Sequence, residues 1–280
     1  MNILFIGDIV GRPGREAVRR GLRGLVQHHA VDLVVANVEN AAAGFGLTKD
    51  VGDTIVEAGA DVMTSGNHIW DKKEVLEYIP LEPRLLRPAN FPAGVPGRGT
   101  YVAQTGDGRA VGVINVMGRV FMTPLDDPFT VVLREIEAIR HRTRVIIVDF
   151  HAEATSEKIA MGWHLDGKVT AVIGTHTHVQ TADERILPNG TAYLTDAGMT
   201  GPHDSIIGME REPSLARFLT GMPVKFEPAT GNTRLNGALI TADDKTGRAT
   251  RIARISYSEA ELQALARAPK GAPLHATADR

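Results

Sequence analysis

Short β-branched runs alternate with amphipathic helical stretches from the start of this chain to Thr64, and that alternation narrows its fold more than any other feature. Ile3 to Ile6 is an unbroken apolar run, too short for a helix and lacking polar alternation, which suits a strand covered on both faces. From Arg15 to Val26 the residues Ala17, Val18, Leu22, Leu25 and Val26 recur at helical spacing, opposite a basic face of Arg15, Arg19, Arg20 and Arg23 that reads as solvated. Asp32 to Val38 is a second buried strand, Lys49 to Ala58 a helix and Asp61 to Thr64 a third strand. Such a β-α-β-α-β order predicts right-handed crossovers and a largely parallel sheet, with ligands beyond the carboxyl ends of its strands.

Downstream the pattern changes. Pro80, Pro83, Pro88, Pro92 and Pro96 make Ile79 to Arg98 an irregular crossing segment, because proline fits neither a helix interior nor a central strand. Three turn signals mark hairpins: Gly106-Asp107-Gly108, Pro188-Asn189-Gly190 and the pair Asp244-Lys245. Phe129 to Ile139 is a further amphipathic helix, and Val145 to Phe150 and Val169 to Gly174 are further buried strands. The expected architecture is α/β: two mixed sheets packed together with helices outside, a four-layer α/β/β/α sandwich. Residues 1–266 read as one domain, and 267–280, with Pro269 and Pro273, as a flexible tail with little to bury.

Composition removes several function classes. With 31 basic and 33 acidic side chains the formal charge is −2, far from the footprint of a dedicated DNA-binding protein. A stable nucleic-acid complex is therefore not expected, although nucleic acid stays open as a substrate. The absence of cysteine excludes disulfides, thiolate zinc sites, iron–sulfur clusters and cysteine nucleophiles, so any metal is held by nitrogen and oxygen. The opening MNILFIGDIVGRPG has no basic region ahead of its apolar run, which is too short for a signal peptide or a membrane span. A cytoplasmic protein without membrane contact is expected.

Five polar clusters each follow one of the expected strands: Gly7-Asp8, Asn37-Val38-Glu39-Asn40, Gly66-Asn67-His68, Asp149 to Glu153 and Gly174 to His178. In a parallel sheet all five converge on one edge. Each alone has an ordinary structural explanation; an aspartate after a strand is commonly a turn or helix cap. Together they do not, because desolvating so many carboxylates, amides and imidazoles is too costly unless they are paired or ligate cations. The donor set suits manganese, iron or zinc. His176 and His178, two apart on an extended segment, present their rings to one side, so that one faces each of two metals. Seven or eight donors exceed the needs of one ion, since a tetrahedral zinc takes about four.

The order Gly7-Asp8, Glu39-Asn40, Gly66-Asn67-His68, His151 and Gly174-Thr175-His176-Thr177-His178 resembles the calcineurin-like metallophosphoesterase signature. Two departures, Val10 where that superfamily has a histidine and Val38-Glu39-Asn40 where it has Gly-Asp, are similar to the bacterial YmdB-like branch, as are the opening segment and Thr195 to Pro202. The resemblance implies Asp8, Glu39, Asn40 and His178 on one metal and Glu39, Asn67, His151 and His176 on the other. Asn40 then stands in for the missing histidine, and His68 is left to protonate the leaving oxygen or stabilise the transition state. It further implies attack on phosphorus by a metal-bound hydroxide, iron as the favoured metal with manganese or zinc as alternatives, and a cyclic nucleotide such as 2′,3′-cyclic AMP as substrate.

Rival readings keep the centre and change the output: a phosphomonoesterase, a nuclease acting on RNA ends, or a regulatory protein that binds a nucleotide as a signal. The partner in every case is a small phosphodiester or nucleotide, and a homo-oligomer is open. Trp70 and Phe121 read as packing rather than substrate contacts, and Arg12 as a possible contact. Asp196 either orients a ligating histidine or forms a turn. Glu153 either supports the metal ligands or faces solvent. His203 reads as a surface-loop residue and His164 as structural.

Overall fold

A computed structural model describes residues 1–267. It begins with β1 (Asn2–Ile6), β2 (Asp8–Ile9), α1 (Gly11–His28), β3 (Leu33–Asn37), α2 (Lys49–Ala58), β4 (Val62–Thr64) and α3 (Val75–Tyr78). Next come β5 (Thr100–Gln104), β6 (Ala110–Met117), α4 (Pro128–Ile139), β7 (Ile146–His151), α5 (Thr155–Leu165) and β8 (Ala171–Thr175). The last part holds β9 (Arg185–Ile186), β10 (Ala192–Leu194), β11 (Met199–Pro202), α6 (Arg211–Thr220), β12 (Thr233–Ala242), β13 (Ala249–Ser258) and α7 (Glu259–Arg267).

These strands form two mixed sheets. The seven-stranded sheet runs β2-β11-β12-β1-β3-β4 with β13 on β12, and the six-stranded sheet runs β5-β6-β7-β8-β10-β9. Neighbouring strands run parallel in each, β1-β3-β4 in one and β6-β7-β8-β10 in the other. Strand β1 shows how the layers arise. Ile3 and Phe5 share the layer between the sheets with Val113, Ile147 and Ile173, whereas Leu4 and Ile6 pack with Val18 and Leu22 of α1. A strand with both faces buried needs an unbroken apolar run. On the far side of the second sheet, Val132 and Ile136 of α4 and Met161 of α5 cover Ile114 and Val148. The four-layer α/β/β/α sandwich follows.

Some details differ from the sequence reading. Helix α1 starts at Gly11 rather than Arg15, because Pro13 falls in the first turn, where its missing N–H breaks no bond. Arg15 is half-buried and donates to the Ala41 carbonyl, so it is not part of the solvated face. Helix α5 escapes the hydrophobic pattern because its inward face carries Glu157 and Lys158. Most consequential, the five clusters do not lie on one sheet edge: three follow β1, β3 and β4 of the first sheet, and two follow β7 and β8 of the second. Stacking the sheets with these ends together achieves the convergence that one sheet was expected to provide. Among the described residues no helix is long and apolar enough to cross a membrane. Of the expected tail, 268–280 lie outside the described residues, and Arg267 closes α7.

Phe5 is fully buried between the sheets. Phe5→Ala should therefore cost about 3–5 kcal/mol of stability by urea denaturation. A loss below about 1 kcal/mol would show that this layer does not hold the sheets together.

Candidate metal centre

Asp8 begins β2, Glu39 and Asn40 follow β3, Asn67 and His68 follow β4, His151 ends β7, and His176 and His178 follow β8. The fold brings these residues together. Donor atoms of Glu39, His151 and His176 lie within 4.8 Å of one another, and so do those of Asp8, Glu39 and His178. Glu39 belongs to both groups. Asn67 Oδ1 joins the first, 2.9 Å from His151 Nε2, and Asn40 Oδ1 joins the second, 3.3 Å from His178 Nε2. The Asn40 amide nitrogen donates to the Gly44 carbonyl at 3.0 Å, which turns its oxygen inward.

Whether a metal fits can be judged from what these groups lack. Asp8 and Glu39 are fully buried, yet Asp8 Oδ1 and Glu39 Oε1 have no hydrogen-bond partner. Each histidine has one nitrogen committed outward. His151 Nδ1 donates to Thr175 Oγ1 at 2.9 Å, and Thr175 in turn donates to Asp149 Oδ1 at 2.7 Å. His178 Nδ1 donates to the Ile207 carbonyl at 2.8 Å, and His176 Nε2 lies 3.0 Å from Glu153 Oε2. Those bonds fix the tautomers so that His151 Nε2, His176 Nδ1 and His178 Nε2 carry inward lone pairs. His151 Nε2 then faces His176 Nδ1 at 3.0 Å and Glu39 Oε1 at 3.1 Å, lone pair against lone pair. A cation between them removes that repulsion, as does a proton on His151, which the Glu39 and Asp8 carboxylates favour against burial. The arrangement supports metal use.

Electrostatics agree. Burial, reinforced by His151, lowers His176 to about 3, and burial lowers His178 as well, so both rings are neutral and ready to ligate at neutral pH. Burial pushes the Asp8 carboxyl well above its usual range. Against the same burial, the His151 ring and the His68 N–H hold Glu39 at about 2. Room at the centre is tight: a Cβ on Gly66 would lie 2.2 Å from His151 Nε2 and 2.4 Å from Glu39 Oε2.

The segment carrying His176 and His178 is not extended, contrary to the sequence reading. Strand β8 ends at Thr175, and the two histidines take φ values of 102° and 66°, in the left-handed region. Each such residue costs about 1–3 kcal/mol unless its surroundings impose it. Here Asp196 does so, accepting from the Thr177 backbone N–H at 3.1 Å and its hydroxyl at 2.8 Å. Asp196 is in turn paired with the buried Lys158 Nζ at 2.6 Å. Asp196 thus holds the residue between two histidines, neither orienting a ring directly nor merely shaping a turn.

His68 stands apart from the two donor groups. Its backbone N–H donates to Glu39 Oε2 at 3.1 Å, its Nδ1 meets Asp71 Oδ2 at 2.8 Å, and its ring packs edge-on against Phe45. With Glu39, Asn40, His176 and His178 it lines a cleft of about 390 Å³. Glu153 lines the cleft too, in contact with His176. Trp70 packs against Phe91, and His164 bonds the Phe129 carbonyl, both as expected. Phe121 does not pack: it is 89% exposed. Arg12 lines a different groove, beside Pro228. His203 is half-buried, bonded to the Gly201 carbonyl and Asn236, and is no free surface residue.

Lys158, Thr175 and Asp149 acquired no role from the sequence. Asp149 carried a signal, since it lies two residues before His151 on one strand and so shares its face. Lys158 carried none, because a lysine at 1% exposure contradicts its usual place in solvent.

Two stacked sheets with this donor set at their adjoining ends define a metallophosphoesterase-type protein. Within that class the chain belongs to the YmdB-like protein family, whose sequence model matches residues 4–255. It is 53% identical over 260 residues to a Bacillus subtilis protein named 2′,3′-cyclic-nucleotide 2′-phosphodiesterase, covering 92% of this chain and 98% of that one. Among solved structures, a Thermus thermophilus protein described as hypothetical superposes with a TM-score of 0.86 at 44% identity, covering 92% of this chain and all of that one (100%). A protein from Mycoplasma pneumoniae, described as a novel phosphatase, gives a TM-score of 0.85 at 36% identity, covering 92% and 93% of the two chains.

Lys158→Met leaves the Asp196 carboxylate buried without its cation, and should cost about 3–5 kcal/mol by chemical denaturation. Stability unchanged within about 1 kcal/mol would mean that the pair is not what holds the histidine segment.

Proposed function

We propose that the chain is a phosphodiesterase whose buried donors hold two cations sharing Glu39, and that its substrate is a small cyclic nucleotide such as 2′,3′-cyclic AMP. Asp8, Glu39, Asn40 and His178 hold one cation; Glu39, Asn67, His151 and His176 hold the other. One observation carries this reading: two donor groups meet at a single carboxylate, and every histidine in them has its outer nitrogen tied to an oxygen. The substrate class is supported by the name of the Bacillus subtilis relative. Nitrogen and oxygen donors suit iron, manganese or zinc, and iron is the proposed occupant.

The cations supply charge neutralisation on the phosphoryl oxygens and make water a nucleophile near neutral pH. The remaining work falls to side chains. Ring opening breaks one phosphorus–oxygen bond, and the departing ribose oxygen needs a proton. His68 lines the cleft, and Asp71 fixes its Nδ1, so Nε2 is the atom that delivers that proton. Its backbone N–H on Glu39 Oε2 sets the ring's distance from the shared carboxylate. Outer partners such as Thr175 and Glu153 keep the ligands aimed, which in comparable centres is worth about 10–100-fold in metal affinity or activity. The same reading places the chain in the cytoplasm, with its nucleotide substrate.

Turnover of 2′,3′-cyclic AMP by wild type and His68→Ala, with metal content measured on the same samples, tests this. The variant should retain about two metals per chain and lose about 10²–10⁴-fold in kcat. Chelation should abolish turnover and re-addition of iron or manganese restore it. Undiminished turnover in the variant would remove His68 from the chemistry, and a wild type that binds the nucleotide without turnover would favour the regulatory reading.

A further inference from the structure

Metal ligands account for only part of the cleft lining. The lining also includes an apolar wall of Phe45, Ile207, Met209, Phe218 and Phe226, with Arg217 beside them. None of the five apolar side chains can hold a cation or a phosphate. Nor is the wall simply part of the main core, since Phe218 is 79% and Ile207 52% exposed. Its base is firm: Phe45, Met209 and Phe226 pack with Val10 and Met199 in a small cluster of their own. The Arg217 guanidinium lies 5.9 Å from the centre of the Phe226 ring. The wall is also tied to the metal centre, because the Ile207 carbonyl is the acceptor that fixes His178.

A rigid aromatic surface with one face open to water, beside a phosphate-handling centre, matches a nucleobase, which offers flat π-faces and a polar edge. We propose that this wall is the nucleobase subsite of the enzyme: the base packs on the Phe218 and Phe226 rings with Arg217 at its edge, while the cyclic phosphate lies at the metal centre. This rests on the phosphodiesterase reading above and adds to it the residues that recognise the rest of the substrate. Stacking tolerates every base and rewards larger ones, so the subsite accepts all nucleotides and prefers purines. The dimensions agree, since a cleft of about 390 Å³ falls within the usual range for small-molecule sites.

The test compares kcat/KM for 2′,3′-cyclic AMP with that for the base-free 2,3-cyclic phosphate of 1-O-methylribose, using metal-loaded full-length protein. Wild type should prefer the nucleotide by at least about tenfold, and Phe226→Ala should cut that preference by about tenfold, chiefly through KM. Phe226→Tyr, which keeps the ring, should preserve it. Phe218→Ala, at an exposed position where folding is not at stake, should reduce the preference in the same direction. No preference in wild type, or equal losses on both substrates in Phe218→Ala and Phe226→Ala, would overturn the subsite. If wild type hydrolyses neither compound, the phosphodiesterase reading fails and calorimetry decides the subsite alone. Tighter binding of 2′-AMP than of ribose phosphate then supports it, and equal affinity overturns it.

Discussion

Everything at the centre depends on one buried carboxylate. Glu39 is sealed from solvent, with His151 on one side and the Asp8–His178 group on the other, and one of its oxygens is unpaired. A carboxylate in that position is too costly for a folded protein to carry unless it is paired or ligates a cation. The surrounding order follows from this constraint. Burial keeps His176 and His178 neutral, and the outer nitrogens of all three site histidines are spoken for. Gly66 leaves no room for a side chain that would crowd Glu39 and His151.

The fold's part is to bring strand ends from two sheets to the same place. Asp8, Glu39 and Asn67 come from the first sheet, His151, His176 and His178 from the second, so both donor groups span the junction between the sheets. The apolar layer of Ile3, Phe5, Val113, Ile147 and Ile173 therefore sets the distance between the two halves of each group. Metal binding and sheet packing are thereby coupled, since a cation held across the junction stabilises the folded chain by mass action.

Much of this was legible in the sequence, for identifiable reasons. Apolar runs such as Ile3 to Ile6 and Asp32 to Val38 mark strands buried on both faces, and the polar residues just beyond them mark the site. What stayed hidden was long-range or broke local rules. Nothing in the chain's order says which sheet β7 and β8 join, so a single edge was expected where two sheets meet. The left-handed backbone at His176 and His178 is imposed by Asp196 and Lys158, distant in sequence and buried against the usual preference of lysine. The aromatic wall was missed because Phe226 and Met209 lie in a stretch with no periodic pattern, while Trp70 and Phe121, considered instead, lie elsewhere.

Anomalous diffraction from a crystal of the metal-loaded protein tests the central claim most directly. Two adjacent peaks flanking the Glu39 carboxylate, one within reach of Asp8 and His178 and the other of His151 and His176, are the predicted result. A single peak, or two peaks of which one does not touch Glu39, would contradict the shared-carboxylate account.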